Sequence, residues 1–247
     1  LYVARLPSNF LSLPDSVMVG LLISMYGFIA ALFQPVMGVL ADRMHRRKPF
    51  ILIGLIVMSA GTLAFVFARQ FVDLVIIRSI QGIGIAVTIP ASLALMTTAT
   101  VKKTRGGSMG VYSTMRMLGF AIGPLVGGFL QVNYGFNAAF YAGSGLVFLS
   151  AILVALWVHE TPGEGQPTNK PQHPFTFFDR EVWTPGIMGL GSATLVMAVS
   201  FSMIAALENE FNARLDQTAL GFGFAFSALT FTRLLVQVPL GRLSDRI

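Results

Sequence analysis

The sequence predicts an all-α protein that crosses a membrane several times, and three observations support this fold class. Of the 247 residues, 54% are hydrophobic and only 11% are charged, whereas soluble domains carry about 25% charged residues. Apolar runs of roughly 20 residues recur along the chain, and each is long enough to cross the hydrocarbon core of a bilayer as a helix. Short loops rich in lysine and arginine separate several of these runs, which is typical of the cytoplasmic loops of polytopic membrane proteins.

Seven spans follow from the apolar runs, at residues 17–40, 49–68, 72–99, 107–131, 138–157, 184–207 and 218–240. Residues 1–4 resemble the end of a preceding helix, so we number the seven spans helix 2 to helix 8. We expect the chain to be part of a longer protein that starts before helix 1 ends and continues after helix 8. Pro90 predicts a kink in helix 4, and residues 133–137 predict the turn between helices 5 and 6.

The basic residues orient the predicted spans. One set of loops holds Arg43, Arg46, Arg47, Lys48, Lys102, Lys103, Arg105, Lys170, Arg180, Arg242 and Arg246, and the opposite set holds only Arg5, Arg69 and Arg214. The first set is therefore predicted to be cytoplasmic. Because these cations lie in short loops rather than in one patch, no nucleic-acid partner is expected.

A polar segment divides the chain into two predicted units. Residues 159–183 are rich in proline, glycine, glutamine and charge, as a solvated linker would be. They separate an amino-terminal bundle, residues 1–158, from residues 184–247, where helices 7 and 8 begin a second bundle expected to lie apart. A repeat supports this division, since Gln34, Gly38, Leu40, Asp42 and Arg43 recur at one common offset as Gln237, Gly241, Leu243, Asp245 and Arg246.

Several kinds of chemistry have no residues to support them. The chain has no cysteine, which excludes disulfides and thiolate chemistry. Its three histidines, His45, His159 and His173, all fall in predicted cytoplasmic loops. We find no nucleophile–base pair, metal-ligand set or phosphate-binding loop, so we expect neither an enzyme nor a bound metal or cofactor.

The loop that begins at residue 38, GVLADRMHRRK, resembles the signature loop of the major facilitator superfamily. Gly38, Leu40, Ala41, Asp42, Arg43, Arg46 and Arg47 match it, and His45 stands where the family usually has glycine. The resemblance implies a fold of two six-helix bundles and a conformational latch between them on the cytoplasmic side. The latch residues would be Gly38, Asp42, Arg43, Arg46 and Arg47 with Gly241, Asp245 and Arg246 of the second copy. The alternative is that the loop serves only as a topology signal.

Three arginines interrupt the apolar spans. Arg78 and Gln81 in helix 4 lie in a segment similar to the second motif of the family, whose arginine is implied in proton transfer. Arg116 and Arg233 fall in no motif. Because intramembrane ionisable residues are functional candidates by default, we assign all four residues to a proton or substrate pathway. The alternative for Arg78, Arg116 and Arg233 is that the side chain extends to the membrane interface.

Helix 5 carries the string Gly119, Gly123, Pro124, Gly127 and Gly128. Glycines spaced by four let a neighbouring helix approach closely, so we predict that Gly123 and Gly127 contact another helix at backbone distance. The whole string is similar to the third motif of the family, which is associated with drug–proton antiporters. Ordinary tight packing without a transport role is the alternative.

Together these features predict a secondary transporter of the plasma membrane that exports small amphipathic compounds by alternating access, coupled to protons. Its partners would be a small-molecule substrate, protons and the lipid bilayer, and we expect a monomer. No span has an acidic residue near its middle, so the proton-carrying carboxylate is expected on helix 1. An organic-anion carrier that uses Arg78, Arg116 and Arg233 is the alternative within transport, and a membrane sensor or scaffold is the alternative outside it.

Overall fold

The computed structural model describes residues 14–43, 47–99, 105–159, 184–207, 211, 214–216 and 218–244, and these residues are helices joined by short connections. The helices are α1 (Asp15–Arg43), α2 (Lys48–Ala64), α3 (Phe71–Ala99), α4 (Arg105–Trp157), α5 (Pro185–Ala206) and α6 (Ala219–Ser244). A single 3₁₀ turn, Phe65–Phe67, extends α2. The linker proposed at residues 159–183 lies almost entirely outside the described residues.

The predicted spans are confirmed with small shifts at their ends, and α4 is where the structure differs most. Helices 2, 3, 4, 7 and 8 correspond to α1, α2, α3, α5 and α6. Helices 5 and 6 form one long element in which only Gly135 has non-helical dihedral angles, with φ 86° and ψ 174°. A residue with a side chain rarely adopts this conformation, so glycine allows the sharp break without strain. We call residues 105–134 and 136–157 the first and second arms of α4.

Length and composition identify membrane-spanning candidates among the described residues. The candidates are Val17–Ala41, Lys48–Phe67, Phe71–Met96 and Gly107–Trp157, and the last of these is long enough for two crossings. A shorter apolar helical stretch, Gly191–Ile204, lies in α5. Many large apolar side chains of these helices are exposed. In a bilayer these side chains would face lipid rather than water.

Helix α3 packs closely against both α1 and α2, and the second arm of α4 lies against α2. One apolar cluster joins the start of α1, the end of α2 and the start of α3, and it contains Met18, Leu22, Phe65, Ala68, Phe71, Leu74 and Ile77. The short turn before α3 is stabilised by Asp73, whose carboxylate accepts hydrogen bonds from the backbone N–H groups of Arg69 and Gln70 at 2.9 and 3.0 Å. These helix-terminal donors would otherwise lack an acceptor.

Glycines allow the backbones of α2 and α3 to approach each other. A Cβ added to Gly54 would lie 2.7 Å from the carbonyl oxygen of Gly84 and would collide with the Thr88 hydroxyl. A Cβ on Gly61 would lie 2.7 Å from Cγ of Gln81. We call Gly54, Gly61 and Gly84 the glycine seam. Close backbone approach of this kind is how small residues join helices in membranes.

The first arm of α4 does not pack in the same way, since its principal contact is with α6. Helix α5 touches α1 only lightly. The division of the chain into two bundles remains a prediction. Helix α6 packs along α4, and the expectation that helices 7 and 8 begin a second bundle stays a prediction.

Candidate functional site

The signature loop follows a tightly packed end of α1. Gly38 lies where an added Cβ would be 3.6 Å from Cβ of Pro90 in α3. Ala41, one turn later, is buried with Ile51 and Ala91. The small residues of the motif therefore bring the end of α1 against the proline-containing part of α3. Helix α3 continues through Pro90 as one helix.

Two basic residues at the end of the loop bind carbonyl groups of α3 and α4. Arg47 Nη1 donates to the carbonyl oxygen of Ala94 in α3 at 2.7 Å, and Lys48 Nζ donates to that of Ala155 at 2.6 Å. Ala155 lies in the last turn of α4, where carbonyl groups have no helical donor and the helix dipole favours a cation. Arg47 was predicted as a latch residue, but its hydrogen bond to Ala94 stays within one predicted bundle.

The other latch residues are only partly described. Asp42 and Arg43 belong to the last turn of α1, and Gly241 belongs to α6. Arg46, Asp245 and Arg246 lie outside the described residues. A carboxylate in the last turn of its own helix is disfavoured by the helix dipole, so Asp42 gains no stabilisation from the end of α1.

Arg78 lies between two aromatic rings. Its Cζ is 5.0 Å from the ring centroid of Phe65 and 5.9 Å from that of Tyr26, within the range of cation–π interactions. Its Nη1 donates to Gln81 Oε1 at 3.3 Å, and Gln81 Nε2 donates to the Thr62 hydroxyl at 3.0 Å. The structure thus brings Arg78 and Gln81 together, in a group that joins α1, α2 and α3.

The string in α4 contacts α6, but through residues other than the predicted ones. A Cβ added to Gly223 of α6 would lie 2.8 Å from the carbonyl oxygen of Pro124 and 3.4 Å from Cα of Leu125. The Ser227 hydroxyl donates to the carbonyl oxygen of Ala121. Pro124 has no N–H, so the carbonyl group of Phe120 loses its helical donor, and the Ser227 hydroxyl binds the adjacent carbonyl group, that of Ala121.

The prediction that Gly123 and Gly127 contact a neighbouring helix is wrong within the described structure. A Cβ on Gly119, Gly123 or Gly127 would have no heavy atom within 4 Å outside its own helix and its chain neighbours. Gly128 is buried. The physical reason is rotational, because α4 turns the side of the string that holds Ala121 and Pro124 towards α6.

Arg116 and Arg233 have different surroundings from Arg78. Arg116 is exposed on the first arm of α4. Arg233 is half-buried, and its Nη2 lies 3.6 Å from the Met197 sulfur of α5. The described contacts do not bring these two arginines to Arg78.

Sequence reasoning missed several residues that matter here. The spacing of Gly223 and Ser227, two small residues four apart, was a signal for close helix packing. The rings of Tyr26 and Phe65 could not be assigned to Arg78 from the sequence, because they come from two other elements. No motif indicated Ser59 and Ser144 either. The buried Ser59 hydroxyl donates to the Ser144 carbonyl oxygen at 3.0 Å, and the Ser144 hydroxyl donates to the Ser59 carbonyl oxygen at 2.9 Å, which joins α2 to α4.

Comparison with known proteins agrees with this arrangement. The family described as Major Facilitator Superfamily matches residues 11–247. The chain belongs to this superfamily. It is an integral protein of the plasma membrane with the all-helical architecture of the family, and the resemblance noted for the signature loop is confirmed.

Relatives named as drug exporters match nearly the whole chain. The multi-drug resistance efflux pump PmrA of Streptococcus pneumoniae is 29% identical over 234 residues, which cover 92% of this chain and 57% of that protein. The multidrug resistance protein MdtG of Serratia proteamaculans is 27% identical over 92% of this chain and 56% of its own length. The synaptic vesicular amine transporter of Bos taurus is 30% identical over 68% of this chain and 32% of its own length. This superfamily member therefore spans a little over half the length of the two bacterial relatives.

Proposed function

We propose that this superfamily member is part of a secondary transporter that exports small amphipathic compounds in exchange for protons, by alternating access. The observation that carries this proposal is the contact between α4 and α6 at the Gly-Pro string. In a transporter of two bundles, access alternates as one bundle rocks against the other. A contact between the two predicted bundles must then form in one state and open in the other.

The chemistry of the α4–α6 contact suits an interface that opens and closes. It combines one backbone approach, Gly223 against Pro124, with one side-chain hydrogen bond, Ser227 to Ala121. A single hydrogen bond contributes only about 0.5–1.5 kcal/mol in net terms, so breaking the Ser227 bond alone costs little, although the crossing as a whole is as extensive as that of α2 with α3. The string resembles an antiporter motif, and two of the relatives are named for multidrug resistance, which favours export.

The loop after α1 supports a latch that centres on Asp42. Arg47 and Lys48 already hold carbonyl groups of α3 and α4. Asp42 lies in the last turn of α1, where its own helix dipole disfavours a carboxylate. We infer that Asp42 is stabilised by a group of the other bundle in one conformational state.

We infer that Arg78 serves the proton pathway. A guanidinium has five N–H donors, and among the described residues Arg78 donates one hydrogen bond to Gln81 Oε1. The aromatic rings of Tyr26 and Phe65 stabilise its charge from either side. A carboxylate that approached Arg78 would be stabilised in its ionised form, so its movement between states would couple proton release to conformation.

Transport by the complete protein in everted membrane vesicles tests the proposal. We expect an imposed pH gradient to drive ethidium transport and a protonophore to abolish it. Gly223→Leu should stop transport, because its Cβ would already lie 2.8 Å from the Pro124 carbonyl oxygen. Gly145→Leu is the matched control, since that position is exposed and open and lies outside the motifs. Absence of gradient-driven transport by the parent would favour a sensor or scaffold, and full transport by Gly223→Leu would remove the α4–α6 contact from the mechanism.

A further inference from the structure

One face of α6 combines aromatic rings with a cation. Phe222, Phe226 and Arg233 lie within about 40° of one another around the helix, at 100° per residue. The rings of Phe226 and Phe222 are 5.9 Å apart, and Phe201 of α5 lies 5.1 Å from Phe226. The Arg233 guanidinium approaches Met197 of α5. We call the space bordered by these five residues the α5–α6 seam.

Arg233 lies near the middle of its helix. It follows the first residue of α6 by 14 residues and precedes the last by 11, or about 21 and 16 Å at 1.5 Å per residue. The predicted span ends at residue 240, about 10 Å along the helix from Arg233, and because helical side chains lean towards the amino terminus, the guanidinium points away from this nearer interface. Substrate sites of transporters with this architecture also lie near the bilayer midplane.

The charge of Arg233 has a weak partner in the described structure. A thioether sulfur is a poor hydrogen-bond acceptor, and the Nη2–Sδ distance is 3.6 Å. No aspartate or glutamate occurs in the middle of any span of this chain. A guanidinium at membrane depth is costly unless an anion or several acceptors compensate for it, so this position selects for an anionic ligand.

We propose that the α5–α6 seam binds an aromatic anion, with the ring on the Phe201, Phe222 and Phe226 cluster and the acid group on Arg233. This inference rests on the proposed function and names the substrate class. Phe226 and Arg233 are seven residues apart, which is about 10 Å along the helix. Because helical side chains lean towards the amino terminus, the guanidinium reaches back towards the rings. A ligand of one or two rings that carries a carboxylate or sulfonate fits this separation.

Binding of naphthoate and of naphthamide, its uncharged counterpart, tests the proposal on the complete protein in nanodiscs. We expect the parent to bind naphthoate more tightly by roughly tenfold, since a charge-assisted hydrogen bond of about 1.4 kcal/mol corresponds to that factor. Arg233→Gln should abolish this preference, and Arg233→Lys should keep part of it. Phe226→Leu should weaken both ligands similarly, because it removes a ring and not a charge. Arg69→Gln, at an exposed turn, is the charge-matched control and should bind as the parent does.

Equal binding of both ligands by the parent, or an unchanged preference in Arg233→Gln, would overturn the site. Ethidium transport by the same variants in everted membrane vesicles separates this result from the fate of the proposed function. If the parent transports ethidium but does not distinguish naphthoate from naphthamide, the seam is wrong and export stands. If neither ethidium nor naphthoate is transported but the preference depends on Arg233, the site stands and the proposed export fails.

Discussion

Two helix crossings in this protein use glycine in different ways. Between α2 and α3, Gly54 faces Gly84 so closely that an added Cβ would lie 2.7 Å from a carbonyl oxygen. Between α4 and α6, Gly223 meets the carbonyl oxygen of Pro124, and the Ser227 hydroxyl adds a hydrogen bond to Ala121. The first crossing lies within one predicted bundle, and the second joins two.

The difference indicates what each crossing is for. The glycine seam places the backbone of Gly54 against that of Gly84 and seats Gly61 against the Gln81 side chain, so its van der Waals contacts depend on close approach at both positions. The α4–α6 crossing is as extensive, but it lies beside Pro124, whose missing N–H leaves one carbonyl of α4 without its helical donor, and it adds a hydroxyl hydrogen bond between the two helices. We expect the first crossing to determine stability and the second to determine conformational state.

The largest effect is expected from Gly54→Leu. The added atoms would meet Thr88 and the backbone of Gly84, and a backbone cannot move aside as a flexible side chain would. Overpacking typically costs ~1–3 kcal/mol, and we expect this variant to lose at least the upper value of that range. Loss of the monodisperse peak in size-exclusion chromatography, or a lower Tm in detergent, would measure it. Gly27→Leu is the control, because that glycine is exposed and open. Equal Tm values for the two variants would contradict the role given to the glycine seam.

A smaller effect is expected from Asp42→Asn, which should alter the conformational equilibrium and not the fold. A partly buried charge–dipole contact is worth up to ~2 kcal/mol, which corresponds to a shift of up to roughly thirtyfold between outward-open and inward-open states. Because the chain lacks cysteine, labelling of single cysteines introduced at the cytoplasmic ends of α1 and α6 can report increased accessibility.

The matched control for this latch variant is Asp216→Asn, in the connection before α6. Asp216 has φ 50°, a conformation that asparagine also tolerates, so the substitution removes a charge at the opposite end of the protein. We expect it to leave labelling unchanged. Parental labelling and parental transport in Asp42→Asn would show that the loop is only a topology signal.

The smallest effect is expected from Ser227→Ala, which removes the hydrogen bond to Ala121. A loss of ~1 kcal/mol would shift the conformational equilibrium by about fivefold, visible as a changed rate of ethidium transport with no change in Tm. Ser200→Ala is the control, since the Ser200 hydroxyl bonds Val196 of its own helix at 2.9 Å. A lower Tm with unchanged transport would show that the Ser227 hydrogen bond stabilises the fold and not a conformational state. The distinction drawn between the α2–α3 and α4–α6 crossings would then fail.

Much of the fold could be predicted because the bilayer restricts the possibilities. Helical spans follow from apolar length, and the predicted ends of helices 3, 4, 7 and 8 lie within a few residues of the observed ones. The turn predicted at residues 133–137 was too wide, because one glycine with a positive φ accomplishes the break. The motifs also indicated Arg78 with Gln81, and the structure joins those two residues by a hydrogen bond.

The sequence by itself determined the number of spans, their order, the positions of the motifs and the family. Only the tertiary structure decided which face of each helix meets a neighbour. Around a membrane helix, lipid-facing and helix-facing positions are both apolar, so periodicity does not distinguish them. For this reason the string in α4 was recognised but its contact was assigned to Gly123 and Gly127, whereas rotation of the helix presents Ala121 and Pro124 to α6. The rings of Tyr26 and Phe65 could not be placed around Arg78 from any pattern either, because each ring comes from a different element and only the packing of the helices brings them together.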